Sequence, residues 1–342
     1  MKMLKFKIGK KTISNKSKTY FIADIAANHD GNLKKAKELI YLCAEARADA
    51  AKFQHFSADT IVSDYGFKSL KSKFSHQKKW KKSVFEVYKD ASIDLNWTLE
   101  LKKTCKKAGI DFFSSPYSKY MVDHLDPHVP AFKIGSGDVT WLSILSYIAK
   151  KRKPVILATG ASNFREVVDA VNTIKKFNKK IVLMQCNTNY TASKENLKYI
   201  NLNVLKKYKK KFPNLILGLS DHTFGHSTVL GSIALGARVI EKHFTDNNNR
   251  IGPDHKFSMN PRTWKNMVEA ARELEVSMGN GKKIVEKNEK ATVVLQRRAI
   301  RARKDIFKKQ IITKEDLIFL RPSPLNALPL KKYKKLIGKK LK

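Results

Sequence analysis

Short β-branched or apolar runs alternate with helical patterns through most of the chain. Eight of these runs have the length and composition of buried strands, and each is followed by a candidate helix. The predicted strands are Phe21–Asn28, Ala50–His55, Asp111–Ser115, Ala131–Ser136, Pro154–Thr159, Lys180–Cys186, Leu215–Ser220 and Arg238–His243. Because strands that alternate with helices form parallel sheets, eight such units predict an α/β fold of the (β/α)8 barrel type, a TIM barrel.

Local signals mark the ends of some predicted helices. Asn32 is a candidate N-cap for the first helix, since its side chain can accept a hydrogen bond from the first turn. Gly109 and Gly236 precede predicted strands and are expected to end helices. The apolar residues at helical spacing are Ala36, Leu39, Ile40 and Cys43 in the first helix and Trp264, Met267, Val268 and Ala271 in the last. We expect these faces to cover the barrel.

One long segment, residues 57–96, interrupts the alternation. It is too long for an ordinary βα connection, and it mixes lysines with aromatic residues. Those aromatic residues are Tyr65, Phe67, Phe74, Trp80, Phe85 and Tyr88. We predict that the segment includes a helix and covers the barrel mouth as a lid.

The composition changes again after Gly281, where short apolar runs are broken by prolines. A β/α barrel takes about 250 residues as one domain, which leaves room for a small appendage. We therefore predict a barrel over residues 1–281, a polar linker over 282–297 and a small β-rich domain over 298–342.

The overall charge is strongly positive, because 69 lysines and arginines stand against 30 acidic residues and give +39. Such an excess is typical of proteins that bind nucleic acid or anionic membranes. The lysines, however, are spread over almost every predicted helix, and no nucleic-acid motif accompanies them. A general lysine bias on solvated faces is the preferred interpretation, and neither nucleic acid nor membrane is predicted as a partner.

The three cysteines lie far apart and form no C-x-x-C pair, so neither a disulfide framework nor a zinc site is indicated. No apolar stretch reaches the roughly 18 residues of a membrane span. A cytoplasmic location is expected.

Polar residues recur where the predicted strands end, which is where the active site of a β/α barrel lies. On the first six strands they are Asn28, His29, Lys52, Gln54, Ser114, Ser115, Lys133, Ser136, Asp138, Thr159, Gln185, Asn187, Thr188 and Tyr190. Strand alternation also puts Ser220 and His222 on one face, and Glu241 and His243 on one face of the next strand. The two imidazoles are then neighbours and suit a divalent first-row metal, with hydrogen bonding at the rim as the alternative.

Two lysines stand inside otherwise apolar strands. Because an unpaired buried ammonium is costly, Lys52 and Lys133 must be paired or must face a ligand. With the hydroxyls of Ser115, Ser136 and Ser220 they would suit a phosphate and a carboxylate. Lys242 alternates away from this face, and we predict that it reaches solvent.

Several of these residues stand in motifs that resemble, in order and spacing, those of the sialic acid synthases. The motifs are Asp24-Ile25-Ala26-Ala27-Asn28-His29-Asp30-Gly31-Asn32, Lys52-Phe53-Gln54, Phe113-Ser114-Ser115-Pro116-Tyr117, Lys133-Ile134-Gly135-Ser136-Gly137-Asp138, Gly218-Leu219-Ser220-Asp221-His222-Thr223, Glu241-Lys242-His243-Phe244-Thr245, Gly252-Pro253-Asp254 and Ser258-Met259. The resemblance covers nearly the whole chain.

This resemblance implies a metal-dependent transferase that forms a C–C bond in cell-surface carbohydrate biosynthesis. Phosphoenolpyruvate condenses with an open-chain N-acetylmannosamine-type sugar and phosphate leaves, as in an N-acetylneuraminate synthase. Asp138 would handle the water and its proton, and Asp24 is the second catalytic carboxylate. The implied phosphoenolpyruvate ligands are Lys52, Ser115, Lys133, Ser136 and Ser220, and the implied ligands of Mn²⁺, or of Mg²⁺ or Co²⁺, are His222 and His243.

The resemblance also implies contacts to the sugar from Gln54, Thr188, Tyr190 and Asp254. The C-terminal segment resembles the antifreeze-like domain of the family, where an arginine reaches into the partner's site in a domain-swapped homodimer. Arg321 fits that place.

The chain departs from the family pattern at several positions. Asp24 stands where glutamate is usual, Ala158 where serine is frequent, and Thr188 where many members have asparagine. Arg321 is followed by prolines rather than by a glycine-rich turn, and the antifreeze-like domain is expected to be incomplete.

Three alternatives stay open at this stage. Relatives in the family make legionaminic or pseudaminic acid from 2,4-diacetamido-6-deoxy hexoses, and the stretch Gly135–Asp138 resembles the neuraminate and legionaminate groups more than the pseudaminate group. A Schiff-base aldolase would use Lys52 or Lys133 without a metal, which the histidine pair disfavours. A nucleic-acid-binding protein would leave the residues at the barrel mouth unexplained.

Overall fold

A computed structural model describes residues 4–70 and 82–342 of the chain. The chain divides into two compact units, residues 1–278 and 279–342. The predicted linker over 282–297 falls inside the second unit, where residues 290–296 are helical.

The first unit begins with an antiparallel hairpin of strands β1 (Lys5–Ile8) and β2 (Lys11–Ser14). Eight parallel strands follow: β3 Tyr20–Asp24, β4 Ala50–His55, β5 Asp111–Pro116, β6 Phe132–Ile134, β7 Val155–Ala158, β8 Ile181–Cys186, β9 Ile216–Asp221 and β10 Ala237–His243. They hydrogen-bond in the order β5-β4-β3-β10-β9-β8-β7-β6, and β5 also lies against β6. The predicted (β/α)8 barrel is confirmed.

Helices surround these strands. They are α1 Leu33–Glu45, α2 Ala58–Ile61, α3 Asp64–Ser69, α4 Val84–Ala91, α5 Trp97–Ala108, α6 Lys119–Leu125, α7 Leu142–Lys150, α8 Phe164–Lys175, α9 Val204–Lys211, α10 Ser227–Ala234 and α11 Pro261–Ser277. No helix in the described part of the chain is long and apolar enough to cross a membrane.

Several local predictions are confirmed. The Asn32 side chain accepts a hydrogen bond from the Lys35 N–H at 3.0 Å and caps α1. Gly109 ends α5 in the left-handed conformation with φ of 78°, and Gly236 follows α10 with φ of 102°.

The first barrel strand is shorter than predicted, because it ends at Asp24 rather than at Asn28. The Asp24 carboxylate accepts the Ala26 N–H at 3.1 Å, and Ala26 adopts a φ of 45°. The chain then turns, with the Asn28 N–H donating to the Ile25 carbonyl at 2.9 Å. A local side-chain-to-backbone bond has replaced the strand ladder here.

The barrel has two apolar layers, because successive strand residues face opposite sides. On β3, Phe21 and Ala23 pack outward against the helices, whereas Ile22 packs inside the barrel. The inner layer occupies the N-terminal half of the barrel, and polar residues take over the inward positions toward the C-terminal ends.

The amino-terminal hairpin, which the sequence pattern did not lead us to predict, belongs to the inner layer. Phe6, Ile8 and Ile13 are buried and cluster with the inward residues Tyr20 and Ile22. The exposed Lys5 and Lys7 alternate with Phe6 and Ile8, which is the signal of a half-buried strand. The hairpin therefore closes the N-terminal end of the barrel with apolar side chains.

The lid segment contains α2, α3 and α4 within its described residues. The aromatic residues Phe74 and Trp80 lie outside the described residues. The capping box of Ser83 and Glu86 begins α4.

The second unit contains helix α12 (Lys290–Gln296) and an antiparallel pair of strands, β11 (Ala299–Ala302) and β12 (Leu317–Leu320). A small β-containing unit at the C-terminal end is consistent with the sequence.

Replacing Ile8 with alanine is expected to lower the free energy of unfolding by about 2–5 kcal/mol, because the side chain is fully buried in the barrel interior. Urea unfolding of Ile8→Ala measures this loss. Lys7→Ala, on the solvent side of the same strand, is the control and is expected to unfold like the wild type. Equal unfolding free energies for the two variants would contradict the assignment of the hairpin to the core.

Candidate active site

A small polar cavity lies where the barrel strands end. It is lined by Asp24, Lys52, Gln54, Ser115, Tyr117, Lys133, Gly135, Ser136, Ala158, Cys186, Tyr190, Ser220, His222, Glu241 and His243. Every barrel strand or the loop that follows it contributes to this list. The predicted strand-end residues Lys52, Ser115, Lys133, Ser220 and His222 are thus brought together.

Strand register explains why these residues meet. Asp24 on β3 is the register partner of Lys52 on β4, and Ser220 on β9 is the partner of Glu241 on β10. Alternation along β4 then turns Gln54 to the same side as Lys52. Inward polar residues of neighbouring strands therefore meet above the apolar inner layer.

The cavity contains buried ion pairs between two lysines and two acids, and the longest joins Lys52 Nζ to Glu241 Oε2 at 4.0 Å. Lys52 Nζ lies 2.6 Å from Asp24 Oδ2, and Lys133 Nζ lies 3.2 Å from Glu241 Oε1. All four side chains are 5% exposed or less, so water contributes little to their solvation. Burial lowers the pKa of Lys52, but the negative charges of Asp24 and Glu241, with the hydrogen bond to Asp24, together outweigh burial and raise the pKa above its ordinary value. Lys52 is therefore an ammonium at neutral pH.

Some hydrogen-bonding groups in the cavity lack a partner among the described residues. They are Ser115 Oγ, Glu241 Oε2 and His243 Nδ1. Since an ammonium has three N–H donors, the contacts seen for Lys52 and Lys133 also leave donors unused. Buried polar groups are normally hydrogen-bonded, so unsatisfied donors around one cavity indicate a polar or anionic ligand.

The two imidazoles predicted to bind a metal lie side by side. The ring centroids of His222 and His243 are 5.3 Å apart. Tyr190 and Phe257 pack against both rings and enclose them. His222 Nδ1 lies 2.8 Å from the Asn187 carbonyl, which fixes that nitrogen as the donor and leaves Nε2 with the lone pair.

The electrostatics differ between the two rings. Burial, followed by the charges of His222 and Lys52, lowers the pKa of His243 well below its ordinary value. His243 is therefore neutral, which is the form that a metal ligand requires. Burial also lowers the pKa of His222, but its interactions with Cys186, the Asn187 carbonyl and Asp221 together outweigh burial, and the net shift is upward.

Few further metal-binding side chains lie around the two imidazoles. Among residues 4–70 and 82–342, no three His, Cys, Asp or Glu side chains are grouped closely enough to hold a metal ion. The nearest carboxylate oxygen to His243 is Asp24 Oδ2, at 3.6 Å from Nε2. Two enclosed imidazoles, one with an unsatisfied ring nitrogen, fit a metal whose other positions are taken by water or substrate.

Asp138 lies in a 3-10 turn after β6 and is half-buried. It is not among the residues that line the polar cavity. Burial raises the pKa of Asp138 to about 6, although the charge of Lys133 acts in the opposite direction. The carboxylate can therefore take up a proton close to neutral pH.

A second cavity of about 180 Å³ lies beside the first, between the barrel end and the lid. Gln54, Tyr190 and His243 border both cavities. The lid contributes Ile61, Val87, Tyr88 and Ala91, and the predicted sugar ligand Asp254 lies on the opposite wall. Burial raises the pKa of Asp254 to about 6, against the hydrogen bond from the Ala27 N–H.

Two predicted site residues lie elsewhere. Thr188 borders a separate cavity of about 650 Å³ near α8 and α9, which shares Cys186 and Tyr190 with the polar cavity. Arg321 lies in the second unit and is exposed. The prediction that it reaches a partner's site stays a prediction.

The prediction for Lys242 is wrong. Its side chain is 2% exposed and its Nζ lies 2.5 Å from Asp221 Oδ2 on β9. Strand alternation does turn Lys242 away from the cavity, but the outer face of a barrel strand is covered by helices rather than by water. An outward lysine near the end of such a strand is therefore buried and needs an acidic partner.

The sequence patterns did not assign a role to Glu241, Tyr117 or Cys186, although all three line the cavity. Glu241 was placed on the same strand face as His243, and this shared face was the available signal. Nothing in a single sequence indicated that Glu241 lies between two lysines from other strands.

Comparisons with known proteins identify the family of this chain. The model of the NeuB family matches residues 39–283. The chain is 36% identical to an N,N'-diacetyllegionaminic acid synthase of Campylobacter jejuni, over 94% of this chain and 95% of that protein. It is 34% identical to a pseudaminic acid synthase of the same organism, over 94% and 92%.

Solved structures show the same similarity. An N-acetylneuraminic acid (sialic acid) synthetase from Leptospira borgpetersenii matches with a TM-score of 0.73 and 26% identity, over 85% of this chain and 95% of that chain. The family match includes seven of the eight barrel strands, β4 to β10. This chain therefore belongs to the NeuB family.

Proposed function

We propose that this protein is a nonulosonic acid synthase that condenses phosphoenolpyruvate with an open-chain N-acetylmannosamine-type sugar and releases phosphate. The observation that carries the proposal is the placement of two buried ammonium groups, Lys52 and Lys133, next to two imidazoles, His222 and His243, in one cavity. The names of the similar synthases support the same reaction class.

The proposed reaction forms one C–C bond and one C–O bond, the latter from water to C2, and breaks the C–O bond between C2 and the phosphate. C3 of phosphoenolpyruvate attacks the aldehyde carbon, and the aldehyde oxygen takes a proton and becomes a hydroxyl. Water adds at C2 and loses a proton, and C2 then becomes a ketone as inorganic phosphate leaves. Phosphoenolpyruvate, the sugar and one water thus become the keto acid and phosphate, with no oxidant or reductant needed.

The chain's own groups bind the anionic substrate in this proposal. Lys52 and Lys133 donate their remaining N–H groups to its carboxylate and phosphate, and Ser115 contributes a hydroxyl that has no other partner in the described residues. Ser136 and Ser220 complete the set of hydroxyls in the cavity. Charge-assisted hydrogen bonds of this kind are roughly twice as strong as neutral ones.

His222 and His243 would hold a divalent ion, with Mn²⁺ preferred over Mg²⁺ or Co²⁺. Bound there, the ion would supply Lewis-acid polarisation of the aldehyde oxygen. The neutral imidazole of His243 and the carbonyl that orients His222 support this assignment.

The sugar would occupy the cavity beneath the lid, next to Gln54, Tyr190 and Asp254. Thr188 would extend the site on the side of the separate cavity. Within the same proposal, the second unit is an antifreeze-like domain that brings Arg321 to the partner's site in a homodimer, and the enzyme acts in the cytoplasm.

A specific observation favours a second acceptor. The lid wall of the sugar cavity carries the apolar side chains Ile61, Val87 and Ala91, which suit a methyl group better than a hydroxyl. A 2,4-diacetamido-6-deoxy hexose has a methyl group at C6, and the legionaminic acid synthases among the relatives are consistent with it.

Phosphate release from phosphoenolpyruvate tests the reaction class. We expect release that depends on N-acetylmannosamine or on the 6-deoxy diacetamido sugar, that is supported by Mn²⁺ and that EDTA abolishes. His222→Ala is expected to keep its fold and lose the metal-dependent release, because a residue at the strand end contributes little to the core.

Full turnover by His222→Ala at ordinary Mn²⁺ concentrations would contradict its role as a ligand. If borohydride traps a pyruvate adduct in the absence of metal, the protein is a Schiff-base aldolase and the synthase assignment is wrong. If neither sugar causes phosphate release, the proposed function is contradicted.

The Glu241→Gln variant tests the charge balance of the cavity. Removing the carboxylate leaves the buried Lys133 ammonium without its ion-pair partner, so the free energy of unfolding is expected to fall by about 3–5 kcal/mol. Phosphoenolpyruvate is expected to raise Tm more in this variant than in the wild type, because the bound anion replaces the lost charge. The exposed Glu273→Gln is the control, and an unfolding free energy equal to that control would contradict the pairing.

The pH profile of kcat/KM tests Asp138 as the base. Because its pKa is about 6, the carboxylate is protonated below that pH, and kcat/KM is expected to fall tenfold per pH unit there. Asp138→Asn is expected to lower kcat/KM by about 10²–10⁴.

The substrate phosphate also ionises near pH 6, so the variant separates the two groups. If the inflection in the pH profile of kcat/KM persists in Asp138→Asn, it belongs to the substrate. If the inflection disappears, it belongs to Asp138. The exposed Asp169→Asn is the control. An Asp138→Asn variant with wild-type rate and profile would exclude the base role.

A further inference from the structure

A buried ion pair lies behind the candidate site, on the outer face of β9 and β10. Asp221 and Lys242 are register partners on these strands, and Lys242 Nζ lies 2.5 Å from Asp221 Oδ2. Both residues are 2% exposed. Neither lines the polar cavity, and the proposed reaction does not use them.

The pair connects four parts of the barrel end. Lys242 Nζ also donates to the Thr223 carbonyl at 2.6 Å, and the Asp221 carboxylate accepts the Thr223 N–H at 3.2 Å and its hydroxyl at 2.9 Å. The Thr228 hydroxyl, at the start of α10, donates to the same carboxylate at 2.8 Å. We name these four residues, Asp221, Thr223, Thr228 and Lys242, the clamp.

The clamp holds the backbone on both sides of His222. Asp221 and Thr223 are its chain neighbours, and Lys242 directly precedes His243. Asp221 and Lys242 point away from the cavity, because strand side chains alternate, while His222 and His243 line it. Fixing the outward side chains therefore fixes the backbone positions from which both imidazole side chains extend. The ring centroids of the two imidazoles are 5.3 Å apart.

Energetics argue against stability as the purpose of this pair. Burying two charges costs desolvation free energy that their attraction seldom exceeds, so apolar side chains of the same volume commonly give equal or greater stability. Apolar side chains, however, would not donate to the Thr223 carbonyl or accept from Thr223 and Thr228. What the ion pair adds is a defined geometry for the segment that carries His222.

We propose that Asp221 and Lys242 are positioning residues that set the spacing of His222 and His243, and thereby the affinity of the site for a divalent metal. The proposal rests on the proposed function, because it takes the two imidazoles as metal ligands. In this proposal, residues on the outer face of β9 and β10 position the imidazoles that lie on the inner face. Second-layer groups that orient ligands typically change metal affinity by about 10–100-fold when they are removed.

The test is the Kd for Mn²⁺ of the full chain, measured from the electron paramagnetic resonance signal of unbound Mn²⁺. Lys242→Met and Asp221→Asn are expected to bind Mn²⁺ about 10–100-fold more weakly than the wild type. Circular dichroism and gel filtration establish that each variant is folded. Because the Kd is measured on folded protein, a weaker affinity reports the positions of the imidazoles rather than a general loss of stability.

Lys153→Met is the matched control. Its ammonium, like that of Lys242, pairs with an acid, Asp126, and donates to backbone carbonyls, those of Asp126 and Val129. It lies just before β7, at the opposite end of the barrel from the imidazoles. Its Kd for Mn²⁺ is expected to equal that of the wild type.

Thr228→Val covers the case in which the charge variants do not fold. It removes one hydrogen bond to Asp221 and leaves the ion pair, so a smaller loss of Mn²⁺ affinity in the same direction is expected. Wild-type affinity in folded Lys242→Met, or in Thr228→Val when the charge variants unfold, would overturn the proposal. Wild-type protein that binds no Mn²⁺ would also overturn the positioning proposal. Failure of the synthase assignment is a different result, namely the absence of sugar-dependent phosphate release.

Discussion

The candidate site depends on the burial of two ammonium groups inside a closed barrel. Lys52 and Lys133 lie where water cannot solvate them, so each requires a carboxylate. Strand register brings Asp24 to Lys52, and Glu241 reaches Lys133 across the barrel interior. The acidic neighbours keep Lys52 charged, and both lysines retain N–H donors for a ligand. An anionic substrate can therefore bind without a prior protonation step in the cavity.

The rest of the barrel can be understood as support for these pairs. The N-terminal half of the interior is filled by apolar side chains and closed by the amino-terminal hairpin, so the polar residues occupy only the C-terminal end. A dry floor beneath the cavity lowers the local dielectric constant and strengthens each charge interaction above it. The same floor makes an unpaired charge there more costly, which explains why the acids and the lysines occur together.

The outer face of the barrel carries polar structure as well. Asp221 and Lys242 form an ion pair beneath the helices, immediately behind the two imidazoles. The lid residues Ile61 and Val87 line the second cavity together with Asp254. Side chains behind the two imidazoles and above the barrel end thus surround the candidate site on both sides.

The sequence by itself determined the barrel, most of its strand positions and the residues at the strand ends, because apolar alternation and helical spacing are local properties of a chain. It could not determine that Glu241 lies between Lys52 and Lys133, because these contacts cross the barrel interior between strands that are not neighbours. Nor could it determine that Lys242 is buried against Asp221, because this depends on the register of β9 and β10 and on the helices that cover their outer face. Nor did it distinguish Thr188, which borders a separate cavity, from the residues of the polar cavity. Tertiary structure decided these points because burial converts an ordinary lysine or carboxylate into a group that must find an opposite charge.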